Sequence, residues 1–161
     1  MIIGIVGRSG HGKTSAADIL TENFGFKTMS FSEPLKIAAM HLFDLDPAQL
    51  FDPELKEVVD SRWGISPRKI MQKLGTDFAR DKIDRDFFLK HMASRLAKND
   101  CGKSIVIDDV RFHNEAEFLK RDYGAKIVRV SRLHFENEDD HESERVSMGI
   151  LCDFEIHNFG D

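Results

Sequence analysis

The first 24 residues constrain the fold more than any other stretch of this chain. An unbroken apolar run, Met1-Ile2-Ile3-Gly4-Ile5-Val6, leads into Gly7-Arg8-Ser9-Gly10-His11-Gly12-Lys13-Thr14 and then into a helical pattern ending at Phe24. A short run that is apolar at every position fits a strand buried on both faces, as in parallel sheets. The eight residues after it fit G-x-x-x-x-G-K-S/T, in which glycines let successive backbone N–H groups converge on a phosphate. The helix that follows turns the positive end of its dipole toward the same point. Strand, glycine loop and helix in this order predict that Ser9, Gly10, His11, Gly12, Lys13, Thr14 and Ser15 form the bed of a nucleoside triphosphate. Lys13 then reaches the β- and γ-phosphates, and the Thr14 hydroxyl holds Mg²⁺. His11 is the unusual member, a bulky ring that titrates near neutral pH. The simplest placement for it is outward, toward solvent.

Punctuation along the rest of the chain alternates strands with helices. Gly25 is placed to end the first helix, and Phe26 to Ser30 reads as a second strand. Ser30 or Ser32 caps a helix from Glu33 to Phe43, with Leu35, Ile37, Ala38, Ala39, Leu42 and Phe43 at helical spacing. Asp44 to Arg62 holds two prolines and several acids, and reads as loops with short helical turns. Ser66-Pro67 starts another helix, since proline suits the first turn, and Ile70, Leu74 and Phe78 form its apolar stripe. Asp84 to Lys98 is amphipathic, with Phe87, Phe88, Met92 and Leu96 inward. Ser104 to Ile107 is a strand ending in Asp108-Asp109. A helix from Asn114 to Tyr123 is broken by Gly124. Ala125 to Val130 and Phe154 to His157 supply further strands. The alternation predicts a mainly parallel sheet with helices on both faces. Arg132 to Arg145 is too polar to pack and reads as a loop or lid. Its acids, from Glu136 to Glu144, show no ordered metal-ligand spacing. Trp63 is either a hydrophobic anchor or a platform for a base.

Bulk properties exclude several classes. A chain of 161 residues predicts one domain with a continuous core. A net charge of −5 offers no basic face for nucleic acid. No stretch approaches the roughly 20 apolar residues of a membrane span. Cys101 and Cys152 have no C-x-x-C partner and suit a reducing cytosol. The sequence leaves the oligomeric state open, a homodimer included.

The phosphate loop alone serves motors, switches and kinases. No guanine-reading N-K-x-D stretch accompanies it here, and basic residues are spread well beyond it. Three further segments narrow the choice: Phe31-Ser32-Glu33-Pro34-Leu35-Lys36, Ser66-Pro67-Arg68-Lys69-Ile70-Met71-Gln72-Lys73-Leu74-Gly75-Thr76-Asp77, and Asp108-Asp109-Val110-Arg111-Phe112-His113-Asn114-Glu115, followed by Asp140-His141-Glu142-Ser143-Glu144. In this order, behind the phosphate loop, they resemble the bacteriophage deoxynucleoside monophosphate kinases, a branch of the nucleoside monophosphate kinase-like P-loop enzymes. The resemblance runs from Met1 to about Gly160.

It implies a three-layer α/β/α P-loop fold over 1–161, with a substrate-binding helical excursion at about 33–98 and a lid at about 132–145. It implies ATP-dependent conversion of deoxynucleoside monophosphates to diphosphates with Mg²⁺, in the cytoplasm of a host cell if phage-encoded. Carried over by position, Lys36 and Arg68 are candidates for the monophosphate, and Gln72 and Thr76, one turn apart, for its base or sugar. Phe31 sits where a base could stack. Asp109 is placed for Mg²⁺-associated water or the sugar, and Arg111 for phosphate. Arg129 and Arg132 stand at the lid base near ATP, and Arg132 and Arg145 with Lys13 are the expected catalytic cations. A kinase of another small metabolite, or a nucleotide-dependent switch without an acceptor, are the alternatives.

Overall fold

The computed structural model describes residues 1–98, 102–132 and 146–160. Five strands form one sheet: β1 (Ile2–Val6), β2 (Lys27–Met29), β3 (Ile105–Ile107), β4 (Lys126–Arg132) and β5 (Phe154–Asn158). Their order is β2-β3-β1-β4-β5, and every neighbouring pair is parallel. The helices are α1 (Lys13–Phe24), α2 (Glu33–Phe43), α3 (Pro47–Phe51), α4 (Pro67–Gln72), α5 (Phe87–Lys98) and α6 (His113–Tyr123). A π-helical stretch, Lys73–Ile83, continues directly from α4. No helix among the described residues is long and apolar enough to cross a membrane. The chain divides into two compact units, one of Met1–Phe31 with Ala93–Asp161 and one of Ser32–Met92.

In the first unit, alternation along β1 sorts its neighbours. Ile5 packs with Ala17, Phe26, Val106 and Val130, with Leu20 of α1 against them. Gly4 points the other way, where a Cβ would lie 2.8 Å from Ile127 Cδ1 and 3.3 Å from Leu119 Cδ1 of α6. One helix therefore presses on each face of the central strand. Gly25 and Gly124 end α1 and α6 in the left-handed conformation, at φ 67° and 60°, where glycine carries no Cβ penalty. At the edge of the sheet Phe154 and Ile156 of β5 are exposed. The expected parallel sheet flanked by helices is what the structure shows.

In the second unit, Ala39, Leu45, Leu50 and Ile70 form the core, with Met40, Phe43 and Leu74 against it. Ile37 and Leu42, two of the apolar residues at helical spacing in α2, face outward. Ser66 caps α4 by accepting from the Lys69 N–H at 3.4 Å, with Pro67 in the first turn. From Lys73 the helix widens to bonds from each N–H to the carbonyl five residues back, ending with Asp84 N–H to Ala79 O at 2.9 Å. That winding breaks the stripe expected from four-residue spacing. Phe78 is 55% exposed, and Gly75 and Ala79 are buried instead. Gly75 also permits close approach, since a Cβ there would lie 2.9 Å from Leu35 Cδ2. α5 starts at Phe87, later than the Asp84 read from the sequence, because Asp84 is extended and its Oδ1 accepts from Asp86 N–H at 2.8 Å.

Trp63 proves to be an anchor. Its Nε1–H donates to Phe43 O at 2.9 Å, and its ring meets Phe43 edge-on at 5.1 Å. Beside it, buried Asp60 accepts from Arg62 Nη2 at 2.7 Å, from Arg62 Nε and backbone N–H at 3.0 Å, and from Gln49 Nε2 at 3.2 Å. The side-chain bonds from Arg62 hold this carboxyl well below the usual carboxylate range. A depressed folded pKa stabilises the protein above the unfolded value of about 3.9, and the contribution fades as pH falls toward the folded value. Melting temperatures of wild type and Asp60→Asn should therefore differ at pH 7 and converge as pH drops below about 4. A constant difference across that range would show that the Asp60 charge does not contribute.

Candidate active site

The sheet order reverses at β1. The chain leaves β1 through α1 toward β2 on one side, and α6 carries β3 to β4 on the other. In open parallel sheets this switch point, at the carboxyl ends of the strands, is where ligands bind. The loop 7–12 emerges there. Gly7 lies flush against β4, where a Cβ would sit 2.3 Å from Val130 O. His11 N–H donates to Arg8 O at 3.3 Å, which turns the loop. Gly10 and Gly12 have φ of 82° and 97°, so only glycine adopts this path without strain. Such turns align neighbouring N–H groups into an anion-binding concavity. Gly12 then caps α1, and Thr14 and Ser15 stand exposed in its first turn. Lys13 folds back over the loop, its Nζ donating to Arg8 O at 2.8 Å. Ser9 is half-buried in the loop.

His11 departs from its expected outward placement and is only 9% exposed. Its Nδ1 accepts from the backbone N–H of Arg132 at 3.4 Å, and its carbonyl accepts from Asn158 Nδ2 at 3.3 Å. The ends of β4 and β5 thus draw this residue inward.

The neighbouring strand ends carry the acids. Asp109 Oδ2 accepts from Ser30 Oγ at 2.6 Å and Oδ1 from Phe31 N–H at 2.8 Å. Both oxygens therefore engage the segment after β2, and Arg95 Nη1 donates to Ser30 O at 2.7 Å beside them. Phe31, read as a stacking platform, is 4% exposed, and its ring counts as core. Asp108 follows β3 directly. Ile107 pairs with Gly4, and Val110 N–H donates to Ile5 O at 3.2 Å, which brings Asp108 beside the last residues of β1. Asp108 and Asp109 both stand at the carboxyl end of β3, where the apolar run Ile105–Ile107 ends. Arg111 is half-buried, and its N–H donates to Glu115 Oε2 at 2.8 Å, as does that of Phe112 at 3.1 Å. Glu115, 2% exposed, thereby caps α6, a role its place three residues into the helix makes readable.

Of the β4 arginines, Arg129 donates to the carbonyls of Ser147 at 3.4 Å, Met148 at 3.2 Å and Ile150 at 2.7 Å, clasping the segment before β5. Arg132 donates from Nη2 to Gly160 O at 2.6 Å. Arg145 and the lid segment 133–145 lie outside the described residues.

In the second unit, Lys36 Nζ lies 4.4 Å from the centre of the Phe51 ring, a cation–π arrangement. Arg68 Nε pairs with Glu57, and its backbone N–H donates to Lys56 O at 3.0 Å. Gln72 ends α4 and Thr76 lies in the π-helical stretch, both half-buried. Among the described residues no group of three or more His, Cys, Asp or Glu is arranged to hold a metal ion.

Known proteins share the fold and the family of this chain. A solved Thermus thermophilus structure superposes over 99% of this chain and 89% of its own, with a TM-score of 0.52 and 16% identity, a likeness of fold. A provisionally named deoxynucleotide monophosphate kinase of Acanthamoeba polyphaga mimivirus is 38% identical over 156 residues, covering 89% of this chain and 80% of that protein. The deoxynucleoside-5'-monophosphate kinase of Escherichia phage T5 is 34% identical over 106 residues, 62% of this chain. The match spans 42% of that longer protein. Residues 44–158 match the family model for deoxynucleotide monophosphate kinases. The chain belongs to the deoxynucleotide monophosphate kinase family, and its activity is phosphorylation of deoxynucleoside monophosphates to diphosphates.

Proposed function

We propose that ATP is the donor and that the loop 7–15 holds its phosphates. The left-handed turns at Gly10 and Gly12, with Lys13 folded over them, carry this reading. Backbone N–H groups of the loop and the first turn of α1 bind phosphate oxygens, and the Lys13 ammonium exchanges the Arg8 carbonyl for them. Lys13 then neutralises charge that develops as the phosphoryl group moves.

Mg²⁺ fits the donor set. It keeps several waters and takes one or two protein oxygens along with substrate phosphates, and the exposed Thr14 hydroxyl and the carboxylate of Asp108 supply such oxygens near the loop. Bound there, it would offset negative charge on the donor phosphates. Ser9 and Ser15 add hydroxyl donors. Arg132, beside His11, and Arg145 are the further cations proposed for the donor side. Arg129 contributes by holding the segment 147–150 in place.

On the acceptor side, Lys36 and Arg68 take the monophosphate, and Gln72 and Thr76 meet its base or sugar. Arg68 is restrained by Glu57, so its guanidinium is oriented before substrate arrives. Asp109 orders the Ser30–Phe31 segment, and Arg111 supplies a further cation for phosphate. The acceptor is already an anion, so alignment and charge neutralisation suffice without a strong general base.

Consumption of ATP with and without each deoxynucleoside monophosphate tests the reading. Acceptor-dependent diphosphate formation is expected, and acceptor-independent hydrolysis would overturn it. Arg68→Ala should raise the KM for the deoxynucleotide by about ten- to a hundredfold, the loss of a charge-assisted contact of about 1.5–3 kcal/mol, while the KM for ATP barely moves. Equal rises in both constants would remove Arg68 from the acceptor side.

A further inference from the structure

We infer that Asn158, at the end of β5, is a positioning residue that aims the Gly12 N–H into the phosphate loop by holding the His11 carbonyl. Its Nδ2 donates to His11 O at 3.3 Å, and its Oδ1 accepts from Gly160 N–H at 2.9 Å, which fixes the amide plane. The fit is close: a Cβ on Gly12 would lie 2.7 Å from Asn158 Nδ2. The register Arg132↔Asn158 aligns this amide with the β4 residue whose N–H binds the His11 ring. His11 is thus gripped at its ring from β4 and at its carbonyl from β5.

The consequence follows from peptide planarity. In a trans peptide the carbonyl of one residue and the N–H of the next point in opposite directions, and no peptide among the described residues is cis. Drawing His11 O toward β5 turns the Gly12 N–H away from β5. Gly12, at φ 97°, has no side chain to resist other orientations of this peptide. The Asn158 bond supplies the restraint that glycine lacks, and a donor held in place before binding does not have to be ordered when phosphate arrives.

This inference rests on the loop 7–15 being the ATP phosphate site, so the experiment separates the two. Asn158→Asp keeps the size of the side chain and the acceptor for Gly160 N–H but cannot donate to His11 O, and Asn158→Ala removes both bonds. Binding of a non-hydrolysable ATP analogue is measured by calorimetry alongside KM for each substrate and melting temperature, with Lys13→Ala in parallel. Both Asn158 variants should weaken nucleotide binding and raise the KM for ATP by about five- to thirtyfold, leaving the deoxynucleotide KM and the melting temperature near wild type. Wild-type nucleotide affinity in Asn158→Asp, or equal rises in both KM values with a lowered melting temperature, would overturn the inference while an inactive Lys13→Ala keeps the loop assignment standing. An active Lys13→Ala would overturn the loop assignment and the inference with it.

Discussion

Lys13→Ala should leave a folded protein with almost no kinase activity. The ammonium sits over the loop and donates to the Arg8 carbonyl at 2.8 Å. Deleting it exposes that carbonyl to water and leaves the apolar cluster around Ile5 and Ala17 intact. The melting temperature should therefore stay near that of wild type. Catalysis should fall by roughly two to five orders of magnitude, since a cation aimed at developing charge contributes several kcal/mol to the transition state. Diphosphate formation from a deoxynucleoside monophosphate, measured beside thermal melting, checks both halves. Near-normal turnover by a folded variant would move the donor site elsewhere.

Gly7→Ala should damage activity and stability together. Its new methyl group would fall 2.3 Å from Val130 O. That atom belongs to a backbone held between β1 and β5, where Val6 pairs with Arg129 and Val130 with Ile156. The strand cannot yield without loss of sheet bonds, so the loop must. A displacement on the order of 1 Å at the phosphates costs about a hundredfold in rate. The strain should lower stability by about 1–3 kcal/mol, or roughly 3–10 °C in melting temperature for a chain of this size. The pairing of both losses sets it apart from Lys13→Ala. Unchanged melting and turnover would mean that the loop does not back onto β4.

Local punctuation made most elements legible. Gly25, Gly124 and Ser66-Pro67 stop or start helices where backbone chemistry says they should. The continuous apolar runs at Ile2–Val6 and Ile105–Ile107 became neighbouring buried strands. What stayed hidden depends on partners distant in the chain or on a change of helical period. Nothing near His11 signals its burial, because the amide that holds its carbonyl is 147 positions away. The oxygens of Asp109 meet Ser30 and Phe31, 79 and 78 positions away, which the sheet brings alongside. The outward turn of Phe78 follows from winding that a four-residue stripe cannot express. The turns at Gly10 and Gly12 were readable because they depend on contiguous backbone, whereas the partners of Asp109 depend on strand register.

The placement of β3 has a kinetic consequence. It lies between β1 and β2, yet Ile2 pairs with Ile105 and Lys27 with the same residue. About 100 residues separate Ile2 from Ile105 and about 80 separate Lys27 from it, and loop-closure entropy grows with the logarithm of such lengths. Within that span the Ser32–Met92 unit makes its own internal contacts. The central sheet closes late, as non-local parallel pairing generally does. Until it does, the phosphate loop has no Val130 to rest against and no Asn158 to hold it, so competence to bind nucleotide should arise in the last step of refolding.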